Sequence, residues 1–402
     1  MALIVQKFGG SSVADAQRIE RVAWIVAEKY TEGNDVVVVL SAQGRTTDDL
    51  IEQAMEINPT PSKREMDVLM STGEQASVAL MAMALEKIGL PVVSLTGWQI
   101  GMQTNSEYGN ARIKVVSVER LKAELDRRRI VIVAGFQGVN RFDDITTLGR
   151  GGSDTTAVAL AVVLHADLCQ IYTDVEGIYT GDPRKIPTAR KLEEITYDEM
   201  LELASLGAQV LHNRSVEMAK RYGIRMEVLS SFVRKPGTKV KGVTKVENMK
   251  ISGVAMDADV AQVSLMNLRD EPGVAFKVFR LLAKEKINVD IILQSIGRES
   301  TKDISFTVTK KDMACAVEVL KDNQDVIGFS DIVMTDKIAK VSVVGAGMMT
   351  APGVAALMFE ALFDAKVNIG MISTSEIKIS VLVDENDAER AISAIHAKFF
   401  DS

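Results

Sequence analysis

The chain has 402 residues, 47% of them hydrophobic and 25% charged, with a formal net charge of −7. That length suggests two to four domains at roughly 100–200 residues each, with a substantial core. The acidic balance argues against nucleic acid as the main partner and leaves small polar ligands open. Cys169 and Cys315 each lie in an apolar stretch, and His165, His212 and His396 are far apart. A reduced compartment therefore fits, whereas a structural zinc site or a Ser-His-Asp hydrolase does not.

The opening apolar run, Ala2-Leu3-Ile4-Val5, is too short for a signal peptide and soon meets the Gly9-Gly10 turn. No stretch approaches the ~18 apolar residues of a membrane span. These features predict a cytosolic chain with no membrane partner.

Strands are expected at 3–8, 35–41, 91–95, 130–134 and 168–173. The continuous apolar runs Val36-Val37-Val38-Val39-Leu40 and Val131-Ile132-Val133-Ala134 suit strands covered on both faces. Amphipathic stretches at 14–30, 46–56, 64–88, 117–127 and 154–165 read as helices between them. The alternation predicts an α/β domain whose central sheet is mainly parallel and sandwiched by helices.

Four segments of this half carry chemistry. Lys7-Phe8-Gly9-Gly10-Ser11-Ser12 joins the first strand to the first helix, and its glycines free backbone N–H groups for phosphate oxygens. Ser41-Ala42-Gln43-Gly44-Arg45-Thr46-Thr47 ends the second strand with hydroxyls and a glycine. Thr146-Thr147-Leu148-Gly149-Arg150-Gly151-Gly152-Ser153-Asp154-Thr155-Thr156 combines three glycines, a guanidinium and a helix start, which suits a carboxylate or phosphate. Tyr172 to Arg184 leaves the fifth strand with hydroxyls, acids and an arginine that suit a nucleotide. Each segment alone also reads as an ordinary turn or helix cap. Together they fall at strand ends that converge on one edge of a parallel sheet, the place where open α/β folds bind ligands. Two glycine-rich anion sites and a basic residue fit phosphoryl transfer from ATP to a carboxylate. Ser71-Thr72-Gly73-Glu74 is expected to interrupt its helix, and Glu74 stands among apolar residues, where an acid needs a partner such as an ammonium group.

Residues 230–248 contain Pro236-Gly237 and several lysines with little periodicity, and read as a linker or extended crossover. An internal repeat follows. Asp270-Glu271-Pro272-Gly273-Val274-Ala275 returns as Thr350-Ala351-Pro352-Gly353-Val354-Ala355, an offset of 80 residues, and Asn288-Val289 returns as Asn368-Ile369. Each copy reads as a ferredoxin-like βαββαβ unit. The first copy has four candidate strands and the second only three. The unassigned strand 251–256 is therefore expected to complete the second unit.

These motifs resemble the aspartate kinase family of the amino-acid-kinase superfamily, and the C-terminal repeat resembles its tandem ACT domains. The resemblance rests on Lys7 to Val13, Val39 to Ala42, Ser71 to Glu74, Thr147 to Thr155, Tyr172 to Val175 and Gly177 to Arg184. It implies a catalytic domain over 1–230, a linker over 231–250, a first ACT unit over 251–336 and a second over 337–402. It further implies transfer of the γ-phosphoryl group of ATP to the β-carboxylate of L-aspartate. Lys7 would bind the transferred group, Asp154 would hold Lys7, and Arg150 would clamp the substrate α-carboxylate. Glu74 would take the α-ammonium, while Ser41, Thr47, Gly151, Gly152 and Ser153 position the substrate. The nucleotide would lie against Phe8, Gly9, Gly10, Ser11, Thr173, Asp174, Tyr179 and Arg184. Gln209 stands where many members carry lysine and would offer a hydrogen bond in place of a charge. Mg²⁺ would be held mainly by nucleotide oxygens and water, with no metal-ligand motif in the chain.

The resemblance also implies an amino-acid effector, lysine or threonine, at the ACT units, and a homo-oligomer, dimer or tetramer, formed through them. The effector positions are Asp270, Gly273, Val274, Ala275, Asn288, Val289 and Gln294 in the first unit. In the second they are Thr350, Val354, Asn368, Ile369, Thr374 and Glu376. Two other readings compete: a kinase for glutamate or acetylglutamate, and a catalytically dead amino-acid sensor. The tandem repeat opposes the first, and intact Lys7, Glu74, Arg150 and Asp154 oppose the second.

Overall fold

The structure, a computed structural model, describes residues 1–206, 210–242, 251–295, 301–349 and 351–401. Gln209 and Thr350 lie outside the described residues. The chain divides into two compact units, the first spanning Met1–Tyr179, Lys191–Ser205 and Gln209–Val246.

The first unit is built on an eight-stranded sheet. In spatial order its strands are Glu194–Thr196, Thr238–Lys241, Met226–Ser230, Leu168–Thr173, Leu3–Phe8, Asp35–Leu40, Ile130–Ala134 and Val92–Leu95. Every neighbouring pair is parallel except Met226–Ser230 with Thr238–Lys241. Phe8 stands in register with Leu40 and with Tyr172, and Leu40 with Ala134. The strand ends before Gly9, Ser41 and Thr173 therefore share one edge of the sheet, whereas the turn at Gly149 to Gly152 follows Ile145–Thr147, a strand of a separate small sheet and not of this one, contrary to expectation. Buried Val36, Val38, Leu40, Ile130 and Ile132 pack against Ile19, Val22 and Val26 of helix Ala16–Thr31 and against Val78, Met81 and Leu85 of helix Lys63–Lys87.

Three further expectations need correction in this unit. Residues 231–250 are not all linker, because Thr238–Lys241 is a strand of the sheet. Thr238 and Val240 point inward while Lys239 is exposed, so the lysines that suggested a solvated tether are the outer half of a strand alternation. Ser71 to Glu74 do not interrupt a helix: Lys63–Lys87 runs unbroken for 25 residues, with Ser71, Gly73 and Glu74 buried. This same helix is long and apolar enough, by length and composition, to cross a membrane, contrary to the sequence reading. Its buried Asp67, Ser71, Glu74 and Ser77 mark it as a core helix of this unit. A small sheet of Ile113–Val115, Gln103–Thr104, Gln137–Val139 and Ile145–Thr147 was not foreseen.

The second unit comprises Thr180–Arg190, Leu206–Ala208 and Glu247–Ser402. Its six-stranded antiparallel sheet runs Ile292–Gln294, Thr301–Val308, Gly253–Arg269, Asp331–Val344, Lys378–Asp384 and Met371–Thr374. Two long strands serve both repeats. Gly253 to Asp257 pair with Val344 to Lys340, while Gln262 to Met266 pair with Thr335 to Asp331. Residues 253–256 and the first strand of the first copy are thus one continuous strand with register shifts near Val260. Helices Val274–Lys284 and Lys310–Asp322 close one core over the first repeat, and Val354–Asp364 and Ala388–Phe400 close another over the second. Gly273 and Gly353 precede equivalent helices at φ 92° and 94°, a conformation that only glycine adopts without strain. Ile186, from the Thr180–Arg190 segment, is buried in the second of these cores.

Candidate active site

The site assembles at the shared strand edge of the first unit. After Phe8 the chain turns through Gly9 into a short 3₁₀ helix, Gly10–Val13. A side chain at Gly10 would lie 2.6 Å from the Ala42 carbonyl oxygen, so a bare backbone is required where the two turns meet. Lys7 Nζ lies 2.7 Å from Asp154 Oδ1, with side-chain exposures of 12% and 10%. Lys7 comes from a strand and Asp154 from the first turn of helix Gly152–Val163, so their contact links the two glycine turns. An acid in the first turn also complements the helix dipole.

The second glycine turn depends on backbone left accessible. Gly149 and Gly151 adopt φ 76° and 68°, with Arg150 exposed between them. A methyl group on Gly151 would fall 2.3 Å from Cγ of His212. Ser153 is buried against Gly135, where an added side chain would meet its Oγ at 2.7 Å. Among the described residues Arg150 has no acidic partner.

Glu74 comes from the middle of helix Lys63–Lys87 and reaches the turn after Leu40. Its Oε1 accepts the Ala42 amide at 3.2 Å, and its Oε2 is buried without a hydrogen-bond partner. Burial pushes the carboxyl up to about 7, against the opposing pull of the Ala42 N–H. Gly73 permits this approach, since a side chain there would lie 2.8 Å from Ala42 Cβ. Ser41 and Thr47 are half-buried on the same turn and the helix that follows it.

The nucleotide candidates divide. The Phe8 side chain is fully buried and stacks on Tyr172 at 4.5 Å, so only its backbone is available to a ligand. Thr173 Oγ1 donates to Asp174 Oδ1 at 3.0 Å, and the Ser231 amide donates to the Thr173 carbonyl at 3.0 Å. Ser231 Oγ also lies 2.8 Å from Ser12 Oγ, tying the Thr173 loop to the first glycine turn. Tyr179 forms an isolated bridge with Lys191. Arg184 belongs to the second unit and pairs with Asp182 at 2.9 Å.

Among the effector candidates, Val274 and Val354 are core residues, which leaves their backbone for a ligand. Asp270 pairs with Lys302 at 2.6 Å. Asn288, Gln294, Asn368, Thr374 and Glu376 are exposed, whereas Ala275, Val289 and Ile369 pack partly against the cores.

Sequence reasoning missed Asp67, His212 and Arg214. His212 caps helix Asn213–Tyr222, its Nδ1 accepting the Arg214 amide at 3.3 Å. Burial holds its pKa below the usual histidine value; Asp154 opposes that shift and Arg214 adds to it. Its place immediately before a helix was the available signal, but one histidine in a cap position names no chemistry. Among the described residues no group of three or more His, Cys, Asp or Glu could hold a metal ion.

This geometry has relatives. Residues 2–230 match the Amino acid kinase family, and residues 263–324 and 341–399 match an ACT domain. An aspartokinase of Mycolicibacterium smegmatis is 51% identical over 405 residues, covering 99% of this chain and 96% of that one. E. coli aspartokinase III in complex with aspartate and ADP superposes with a TM-score of 0.83 at 29% identity, covering 99% of this chain and 100% of that chain. The same E. coli enzyme in complex with lysine and aspartate gives a TM-score of 0.76 at 28% identity, covering 99% of each chain. The kinase match covers more than half of the chain and the aspartokinase relative matches nearly all of it, and this chain belongs to the aspartokinase family, as an amino-acid kinase followed by ACT domains.

Proposed function

We propose that the enzyme transfers the γ-phosphoryl group of ATP to the β-carboxylate of L-aspartate, giving 4-phospho-L-aspartate as the entry step to lysine, threonine and methionine. The Lys7–Asp154 contact at 2.7 Å carries this reading. It holds an ammonium group beside two N–H-rich turns, where a phosphoryl group in flight needs its charge neutralised. The acceptor carboxylate has no proton to lose, so Asp154 orients Lys7 and does not act as a base. Arg150, exposed and without an acidic partner among the described residues, takes the substrate α-carboxylate. The unpartnered Oε2 of Glu74 takes the α-ammonium. Ser41, Thr47 and Ser153 orient the substrate, and Gly9, Gly10, Ser11, Thr173, Asp174 and Tyr179 serve the nucleotide.

Mg²⁺ enters with the nucleotide. Asp154 already engages Lys7, so nucleotide oxygens and water would supply most of the ion's ligands. When bound, the ion neutralises phosphate charge.

The ACT units bind an amino-acid effector, lysine or threonine, through the turns at Gly273 and Gly353 and the strands beyond Asn288 and Asn368. The relative bound to lysine and aspartate supports this reading. The exposed edge-strand residues Ile292, Leu293 and Ile372 support assembly of two copies. An effector inhibits only if it prefers the inactive state. Arg150→Ala tests the substrate assignment. Its aspartate KM should rise far more than its ATP KM in a hydroxamate assay, and the reverse ranking would reassign the residue.

A further inference from the structure

Helix Lys63–Lys87 carries Asp67, Ser71 and Glu74 on one buried stripe, spaced four and three residues apart. Glu74 meets Ala42, and the Ser71 carbonyl accepts Gln137 Nε2 at 2.9 Å. Asp67 has no part in the catalytic reading above, yet it is 0% exposed. Among the described residues no lysine, arginine or histidine pairs with it. A buried carboxylate without a counter-ion persists only when hydrogen bonds replace water.

All three of its bonds go to the approaches of one turn. Asp67 Oδ2 accepts the Thr147 amide at 2.9 Å and the Gly109 amide at 2.9 Å, and Oδ1 accepts Thr147 Oγ1 at 2.7 Å. Thr147 ends strand Ile145–Thr147, three residues before Arg150. Gly109 backs the same turn, since a side chain on Gly149 would lie 3.0 Å from its carbonyl oxygen. The next residue is gripped as well: Arg214 Nη1 donates to the Leu148 carbonyl at 2.6 Å, and its Nη2 donates to the Ala111 carbonyl at 2.9 Å. Thr147 and Leu148 are therefore clamped by a carboxylate and a guanidinium, immediately before the turn that exposes Arg150.

We propose that Asp67 is a positioning residue for L-aspartate, fixing the strand end from which Arg150 reaches the substrate α-carboxylate. The inference rests on the assignment of Arg150 given above. A residue that served core stability alone would lower stability without separating the two substrates. A residue acting through Arg150 moves the aspartate KM and leaves the ATP KM in place.

The test uses the full chain with Asp67→Ala, Asp67→Asn, Thr147→Val, Arg150→Ala and the Asp67→Ala/Arg150→Ala double variant. Asp67→Ala should raise the aspartate KM about tenfold or more, with the ATP KM within about twofold. Asp67→Asn keeps an amide oxygen for the two backbone N–H groups, and should recover most of the loss. Thr147→Val removes only the hydroxyl bond and should raise the aspartate KM by about threefold. In the Arg150→Ala background, Asp67→Ala should add less than about twofold. Equal rises in both KM values, or additive losses in the double variant, overturn the proposal. An unchanged aspartate KM in Arg150→Ala rejects the Arg150 assignment and this inference with it. A raised KM there, beside an unshifted Asp67→Ala, rejects the inference alone. Should Asp67→Ala fail to fold, Thr147→Val decides, and an unchanged aspartate KM in that variant overturns the proposal.

Discussion

Glu74 gives one carboxylate oxygen to the Ala42 amide at 3.2 Å and keeps the other buried with no hydrogen-bond partner. The side chain is thus half-solvated by the protein, in a place where an ammonium group or a proton can complete it. Burial raises its pKa to about 7, and the single Ala42 N–H only partly offsets that shift.

A pH dependence follows from the direction of that shift. The folded pKa is raised from 4.5 to about 7, so the fold binds the proton more tightly than the unfolded chain does. Stability therefore falls as pH rises through this window, by up to about 3 kcal/mol at the top. Glu74→Gln should flatten this component of the pH dependence in thermal melts of the ligand-free enzyme. Aspartate binding requires the ionised form, so the aspartate KM of the unaltered enzyme should drop as pH rises through about 7. A Glu74→Gln enzyme with the parental melting slope would remove the residue from this role.

The Lys7–Asp154 contact makes a separate kinetic prediction. Lys7→Ala should lower kcat by about 100-fold or more while the protein stays folded, because the lost charge faces the phosphoryl group in transit. Asp154→Asn keeps the shape but weakens the hold on Lys7, so its kcat should fall less than in Lys7→Ala. Hydroxamate assays and circular dichroism would check both. An Asp154→Asn loss larger than that of Lys7→Ala would point to a direct chemical role for the carboxylate.

The packing of Gly151 on His212 predicts a suppressor. Gly151→Ala pays for a positive φ of 68° with about 1 kcal/mol and drives a methyl group to within 2.3 Å of the imidazole. An added methyl group would also lie 2.4 Å from His212 Cβ, so only His212→Gly, which removes ring and Cβ together, opens that space, and this double variant should be more stable than the two single losses predict. Thermal denaturation of the four proteins settles it: additive losses would mean that the His212 side chain does not oppose the methyl group.

Much of this architecture was readable from residue order, and the exceptions share a cause. Val36 to Leu40 and Val131 to Ala134 are apolar on both faces because helices cover both sides of the sheet, and that signal survives without a structure. The 80-residue offset likewise exposes the paired ACT units before any contact is known. Thr238–Lys241 was lost because its outward lysines carry the composition of a tether. The strands of the small sheet are two or three residues long, below the length at which alternation is visible. Ser71 and Glu74 read as a helix break because they are polar, yet the Ser71 hydroxyl donates to the Val68 carbonyl of its own helix and the Glu74 carboxylate serves the turn at Ala42, a tertiary reason that local pattern does not contain. Asp67 and His212 belong to no motif, and their partners, Thr147 and Gly151, are 80 and 61 residues away.

The last prediction concerns His396 in the second unit, whose ring is 0% exposed. Its Nε2 lies 2.9 Å from Thr180 Oγ1, its Nδ1 lies 3.4 Å from Thr188 Oγ1, and its ring stands 4.7 Å from that of Phe400. Burial lowers its pKa below 6.5, with Asp401 opposing the shift and Arg190 adding to it. A histidine whose folded pKa is depressed is held neutral, so the unfolded chain binds the proton more readily. Its contribution is intact above pH 6.5 and is lost as pH falls from there through the folded pKa. The Thr180–Arg190 segment is joined to this ring through both threonines, so acid should loosen that segment first. Hydrogen exchange followed by mass spectrometry at pH 7.5 and pH 5.5, corrected for intrinsic rates, should show protection of residues 180–190 falling in acid. In His396→Gln, which can still hydrogen-bond but does not titrate, the loss should be much smaller. Equal acid sensitivity in both proteins would assign the loosening to groups other than His396.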